Sequence, residues 1–301
     1  MNEYGKTIRK IREEKGYTMQ QLSDGILSTS FLSKFERGNS DISISYFFQI
    51  LERLSLSYDE FLFVHNDFKL DNFETFFDSA EQAYVNRNLS KLQTLKEVQM
   101  DKWRTTKIAA YRCNTLVLDV LIGILRDEFI DSEKEEIEFL FDYLFQVEVW
   151  GYYELRLYNT TMFLMPPETV LTLSETAVEK SVYLRKLAKV NQIIIYILLN
   201  TLTYLIRHNE YLREYKFFLD YLDNIPIPEK DLLSRNHLLY LQGIYEVKIG
   251  NKEKGSKLVN KAISMFRELG STGLVTEREN FLLIILNDTN MSFTLNDNKR
   301  K

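Results

Sequence analysis

The chain has 301 residues and a formal net charge of −5, with 45% hydrophobic and 27% charged residues, a composition that excludes a disordered chain. Eleven glycines and four prolines come to about 5% of the residues against roughly 12% on average, too few for an all-β protein with its frequent turns. The negative charge also excludes a chain that is basic overall, so any nucleic-acid contact must rest on local placement of charge.

Helical patterning begins at once. Ile8 and Ile11 among Lys and Arg predict a helix from about Gly5 to Lys15, stopped by Gly16. Thr18 and Gln21 form a T-x-x-Q capping box that opens a short second helix burying Met19 or Leu22, with Gly25 as its stop. Ser28 caps a third helix from Thr29 to Arg37, with Leu32 and Phe35 turned inward and Gly38 at its end. A fourth follows from about Ser43, and Ile44, Phe47, Phe48, Ile50, Leu51 and Leu54 predict a broad buried face. Ser57 and Glu60 make a second capping box for a fifth helix through Val64. Five short helices with a tight turn between the second and third describe a helix-turn-helix domain over residues 1–65.

The string Ser28-Thr-Ser-Phe-Leu-Ser-Lys-Phe-Glu-Arg-Gly38 resembles the recognition helix and following turn of XRE/Cro-type helix-turn-helix proteins. The match runs from Gly5 to Leu62, with Met19 where that family usually has Gln, and its short turn is similar to that of the Rgg/GadR/MutR regulators. The resemblance implies binding of double-stranded promoter DNA. It places Thr29, Ser30, Ser33 and Lys34 against base edges, Lys34 being the candidate for guanine O6 and N7. It makes Arg9, Lys10 and Arg37 contacts to the DNA backbone. It also pairs Arg12 with Glu36, aiming the arginine at a phosphate, so Arg12→Ala should lose affinity on every sequence with the fold retained. The competing reading of these charges is the solvated face of short helices.

From Asp67 on, helical periodicity is nearly continuous. Some ten or eleven helices are predicted, with breaks near Asn86–Asn88, Asp127–Ser132, Gly151, Pro166–Pro167, Asn209, Pro226–Pro228, Asn251 and Gly270. Antiparallel pairs with short polar turns predict a tetratricopeptide-like α-solenoid over 66–288, followed by a polar, disordered tail at 289–301. One repeat is legible. With Asn236 as position 1, Gly243, Gly250, Gly255 and Ala262 fall at the small-residue positions where paired helices cross. The fold class is therefore all-α.

Asp142-Tyr-Leu-Phe-Gln-Val-Glu-Val-Trp-Gly-Tyr-Tyr-Glu154 resembles a stretch of the Rgg regulators and extends the likeness over nearly the whole chain. It implies a homodimer whose repeat domain binds a short hydrophobic signalling peptide on its concave face. Reading such a peptide needs amides for its backbone and apolar floors for its side chains. Asn159 and Asn200, each interrupting an apolar helix, answer to that need and match asparagines of the Rgg peptide pocket. The alternative is an amide bonded to a neighbouring helix. Arg156 and Arg185 are candidates for the peptide's carboxylate or acidic residues, and Tyr240 is a further candidate.

Enzyme signatures do not appear. No G-x-G occurs, and in Gly250-Asn-Lys-Glu-Lys-Gly255-Ser-Lys257 a serine stands where a phosphate-binding loop needs lysine. The single cysteine, Cys113, excludes an internal disulfide and reads as a buried small hydrophobe. One cysteine and three histidines are too few for a Cys/His zinc site, and no cofactor is expected. Glu133-Lys-Glu-Glu136 reads as a solvated helix start. The N-terminal residues lack the apolar run of a signal peptide, and Ile193 to Leu199, the longest such run, is too short to span a bilayer. The expectation is a cytoplasmic regulator with no membrane partner. The rival reading is an adaptor whose repeats bind a protein and whose helix-turn-helix serves assembly.

Overall fold

The computed structural model describes residues 4–68, 72–126 and 134–287, and no strand occurs among them. The break expected at Asp127–Ser132, Glu133 and the tail at 289–301 lie outside the described residues. The chain divides into two compact units, Met1–Asn88 and Leu89–Lys301. A sixth helix thus groups with the first five, beyond the domain end expected at residue 65.

The first unit holds α1 (Tyr4–Glu14), α2 (Met19–Ser23), α3 (Thr29–Glu36), α4 (Ile44–Arg53), α5 (Tyr58–His65) and α6 (Asn72–Val85). Each predicted cap is made. Gln21 N donates to Thr18 Oγ1 at 3.1 Å and Thr18 N to Gln21 Oε1 at 2.8 Å. The Ser57–Glu60 box is closed in the same way, and Ser28 Oγ accepts from Phe31 N at 3.2 Å. Leu22, Leu32, Phe35, Ile50, Leu54 and Phe61 fill one core with Ile8. Gly5 lets α1 lie directly on α3, because a Cβ there would stand 1.9 Å from the Phe35 carbonyl oxygen.

The broad buried face expected on α4 is narrower than its apolar pattern. Ile50, Leu51 and Leu54 are buried, whereas Ile44 is 70% and Phe48 51% exposed. A helix at the edge of so small a unit meets the core along one stripe only, and residues 44 and 48 stand one turn apart on another stripe.

The second unit holds α7 (Leu89–Thr106), α8 (Ala109–Arg126), α9 (Lys134–Gln146), α10 (Tyr152–Thr161), α11 (Pro167–Lys180), α12 (Ala188–Leu205), α13 (Leu212–Asp223), α14 (Leu232–Lys248), α15 (Lys252–Glu268) and α16 (Thr272–Asn287). Helices α8, α10, α12 and α14 touch in succession as one row, with α7, α11 and α15 packed on its members. Two breaks carry neither glycine nor proline and escape a reading that looks for those residues: Lys107–Ile108, where Lys107 takes φ 58°, and the segment from Ser181 to Leu187.

The repeat read from residue 236 is a close crossing of α14 and α15. A Cβ on Gly255 would lie 2.6 Å from the Gly243 carbonyl oxygen and 2.7 Å from Val247 N, and Asn236 Nδ2 donates to the Ala262 carbonyl at 2.9 Å. Gly255→Ala must therefore push α15 off α14. The expected cost is about 1–3 kcal/mol, read as a lower denaturant midpoint at unchanged slope.

Trp150, fully buried, donates Nε1 to the Leu144 carbonyl at 3.1 Å, and Tyr153 Oη donates to the Ala110 carbonyl at 2.9 Å. The stretch Asp142–Glu154 thereby ties α8, α9 and α10 together. Glu136 departs from the solvated helix start expected of it, since both its carboxylate oxygens accept from Arg112, at 2.8 and 2.9 Å. Cys113 is fully buried on α8, and burial pushes its thiol up to about 12. The native chain is expected to leave a thiol reagent unreacted at pH 8 and to consume one equivalent in guanidinium.

Candidate nucleic-acid interface and peptide groove

The cap at Ser28 starts α3 with its apolar residues inward, and that fixes what the outer face offers. Thr29, Ser30, Lys34 and Arg37 are exposed and Ser33 half-buried. Thr29 Oγ1 lies 3.1 Å from Ser23 Oγ of α2, and Ser30 Oγ 3.1 Å from Ser28 Oγ, so the hydroxyls are held in place by the turn. On α1, Arg9 is exposed but donates to Glu13 at 2.9 Å, and the Lys10 ammonium sits 5.1 Å from the Phe68 ring centre. Glu13 and Glu14 share this surface, so the basic run from Lys6 to Lys15 is partly neutralised.

Arg12 is placed elsewhere. It is 6% exposed, its Nε and Nη2 donate to the two oxygens of Glu36 at 2.7 and 2.9 Å, and Nη1 donates to the Tyr17 carbonyl at 2.9 Å. The pairing with Glu36 is as expected, and Nη2 also donates to the exposed Glu13 at 3.2 Å, so every arm of the fork has a partner within the unit. Arg12 ties α1 to α3 and acts as a strut. Arg53, which the sequence reading passed over, donates from α4 to the carbonyls of Gln21, Leu22 and Asp24 and closes the end of α2. No local pattern marks such a tertiary cap.

In the second unit, Asn200 Nδ2 donates to Asn159 Oδ1 at 3.0 Å and bridges α12 to α10. Both side chains are half-buried. The bond uses the Asn159 carbonyl and one amide hydrogen of Asn200, so the Asn159 amide and the Asn200 carbonyl stay uncommitted to each other. That is an adjacent donor and acceptor, the set an extended backbone requires. One turn before Asn159, Arg156 lies 5.8 Å from the Tyr152 ring and donates to its hydroxyl at 3.0 Å. Tyr196 and Thr203 flank Asn200 at i−4 and i+3 on α12, a spacing from which both could have been found.

Two predicted residues are not brought to this face. Arg185 donates to the Val178 carbonyl of α11 and, at 3.5 Å, to the Tyr221 hydroxyl of α13. It closes a helix end rather than joining the amides. Tyr240 is fully buried, and its hydroxyl donates to the Arg278 carbonyl at 2.6 Å, so it offers no group to a ligand. A cavity of about 840 Å³ opens between α13, α14 and α15, lined by Leu222, Leu239, Met265 and Phe266 among others, and neither asparagine borders it. Among the described residues no helix is long and apolar enough to cross a membrane.

Residues 92–280 match the family model of the HTH-type transcriptional regulator Rgg, C-terminal domain, and residues 8–61 match a helix-turn-helix model. The chain is similar to the SHP pheromone receptor Rgg2 of Streptococcus dysgalactiae, at 25% identity over 93% of this chain and 98% of that one, with a TM-score of 0.76. A protein of Listeria monocytogenes EGD-e described as a transcriptional regulator superposes with a TM-score of 0.81 at 22% identity, covering 97% and 99% of the two chains. The complex of PrgX with iCF10 gives a TM-score of 0.70 at 17% identity over 98% and 99%. At those identities the last two show the fold.

Proposed function

Because the chain belongs to the Rgg family of helix-turn-helix transcriptional regulators, we propose that it is a DNA-binding regulator controlled by a short hydrophobic peptide held between α10 and α12. The observation that carries the peptide half is the Asn200–Asn159 bond, which leaves the Asn159 amide beside the Asn200 carbonyl where α10 meets α12. Rgg2, the streptococcal relative, is a pheromone receptor, which agrees with that reading.

In this account α3 enters the major groove, and Thr29, Ser30, Ser33 and Lys34 face base edges while Arg9, Lys10 and Arg37 meet phosphates. The protein works as a cytoplasmic homodimer, so its operator carries two half-sites. The peptide acts by favouring one conformation of the dimer. A hundredfold preference corresponds to about 2.7 kcal/mol of coupling.

Selection of genomic fragments by the full chain tests the reading, run with and without a library of short apolar peptides. A few intergenic sites with two-fold symmetry, their recovery altered by peptide, are the expected result. Lys34→Ala should cost about 1–3 kcal/mol at one base position and relax preference there. Recovery of the same fragments by wild type and variant, in equal amounts, would remove α3 from the DNA.

A further inference from the structure

On α12, the stripe that holds Asn200 continues through Thr203 to Arg207, just past the helix end. Thr203 Oγ1 lies 3.2 Å from His237 Nε2 of α14, and the Arg207 guanidinium lies 5.2 Å from the Phe281 ring of α16. Arg278, also on α16 and 7% exposed, has its guanidinium 5.2 Å from the Tyr240 ring and its charge acts on His237. From Asn200 to Arg207 is about 10 Å along the helix, the span of roughly three residues of an extended peptide.

Among the described residues Arg278 is a buried cation with no buried acid to match it. Among the described residues its ion pair is Glu277 Oε1 at 3.7 Å from Nη1, a neighbour on the same helix whose side chain is 63% exposed. Its Nε finds no hydrogen-bond partner. By contrast Arg12, as deeply buried, has both oxygens of Glu36. Of the described groups that face it, Tyr240 and His237 supply no negative charge. Tyr240 donates its hydroxyl elsewhere, and burial together with the charge of Arg278 pushes His237 down to about 3, leaving it neutral. A buried guanidinium whose carboxylate is distant and largely in solvent is poorly compensated, and two guanidiniums at one end of a stripe of amide and hydroxyl groups form a receptor for an anion.

We infer that Arg278, assisted by Arg207 at its margin, binds a carboxylate of the peptide held by Asn159 and Asn200. This rests on the peptide reading above and moves the anion contact from Arg156 and Arg185 to the α12–α14–α16 end of the row. Tyr240 then has a role through Arg278, as the floor under its guanidinium. The carboxylate is either the peptide's C-terminus or an acidic side chain.

Two synthetic libraries of apolar octapeptides test it, each with one position varied among Asp, Glu, Asn and Gln, one library ending in carboxylate and the other in amide. Both are selected on the full chain, on Arg278→Met and on Asn159→Ala/Asn200→Ala. Wild type should prefer the carboxylate by tenfold or more. A preference for free C-termini assigns the α-carboxylate, and one for Asp or Glu over their amides assigns the side chain. Arg278→Met should lose that preference, with an unliganded thermal midpoint equal to or above that of wild type, since it removes a buried and weakly paired charge. Arg207→Gln, at an exposed position, should lower the preference severalfold without touching the core. An unchanged preference in both arginine variants overturns the inference while leaving the groove intact. Equal selection by wild type and the double asparagine variant overturns the groove reading itself, and this inference falls with it.

Discussion

Arg12→Ala is expected to destabilise the helix-turn-helix unit by about 3–5 kcal/mol, and DNA binding should disappear with the fold. The reason lies in what remains. Glu36, 2% exposed, would keep its charge and lose both charge-assisted bonds, and the Tyr17 carbonyl would lose its donor. Domains of this size rarely have more than about 5–15 kcal/mol in hand, so the variant unit should be largely unfolded at moderate temperature. That replaces the expectation of lost affinity with an intact fold. A second variant separates strut from contact: Arg12→Met with Glu36→Leu exchanges the pair for apolar groups of similar volume, a change that is often neutral. If Arg12 only ties α1 to α3, this double variant should regain its melting transition by circular dichroism and bind DNA as wild type does. A double variant that folds but stays unable to bind would return Arg12 to the phosphate.

The contrast between Arg12 and Glu36 on one side and Arg278 on the other shows where sequence reasoning reaches. Caps are local, so Thr18, Ser28 and Ser57 could be read from spacings of three residues, and all three are made. The crossing at Gly243 and Gly255 was legible because it needs small residues at fixed intervals. Ion pairs across helices are invisible locally; the one with Glu36 was accessible only through the family likeness. Arg185 and Arg278 look alike in sequence, each an arginine in a helical stretch. One turns out to close a helix end, the other to lie buried with only a distant, exposed acid at 3.7 Å among the described residues. Likewise an apolar stripe on α4 does not say how much of it the neighbouring helices will cover, and Ile44 and Phe48 remain exposed.

Asn159→Ala with Asn200→Ala is expected to abolish the response to peptide and to leave DNA binding without peptide unchanged. The argument is one of unpaired groups. An extended peptide docked on α10 and α12 presents backbone N–H and C=O groups that leave water on binding, and each left without a partner costs about 1–3 kcal/mol. Losing two such partners amounts to a thirtyfold or greater loss of affinity. Each single variant also strands the other asparagine, whose bond at 3.0 Å is the link between the helices, so the single effects should not add. Fold is at little risk, because both side chains are half-buried and the same two helices keep Leu155, Tyr158, Ile197 and Leu202 fully buried. The measurement is recovery of an operator fragment against peptide concentration, for wild type and the double variant at one salt concentration. A double variant that still responds at the wild-type peptide concentration would place the groove on other helices. Loss of DNA binding in the absence of peptide would instead make the amide bridge part of the DNA-bound conformation.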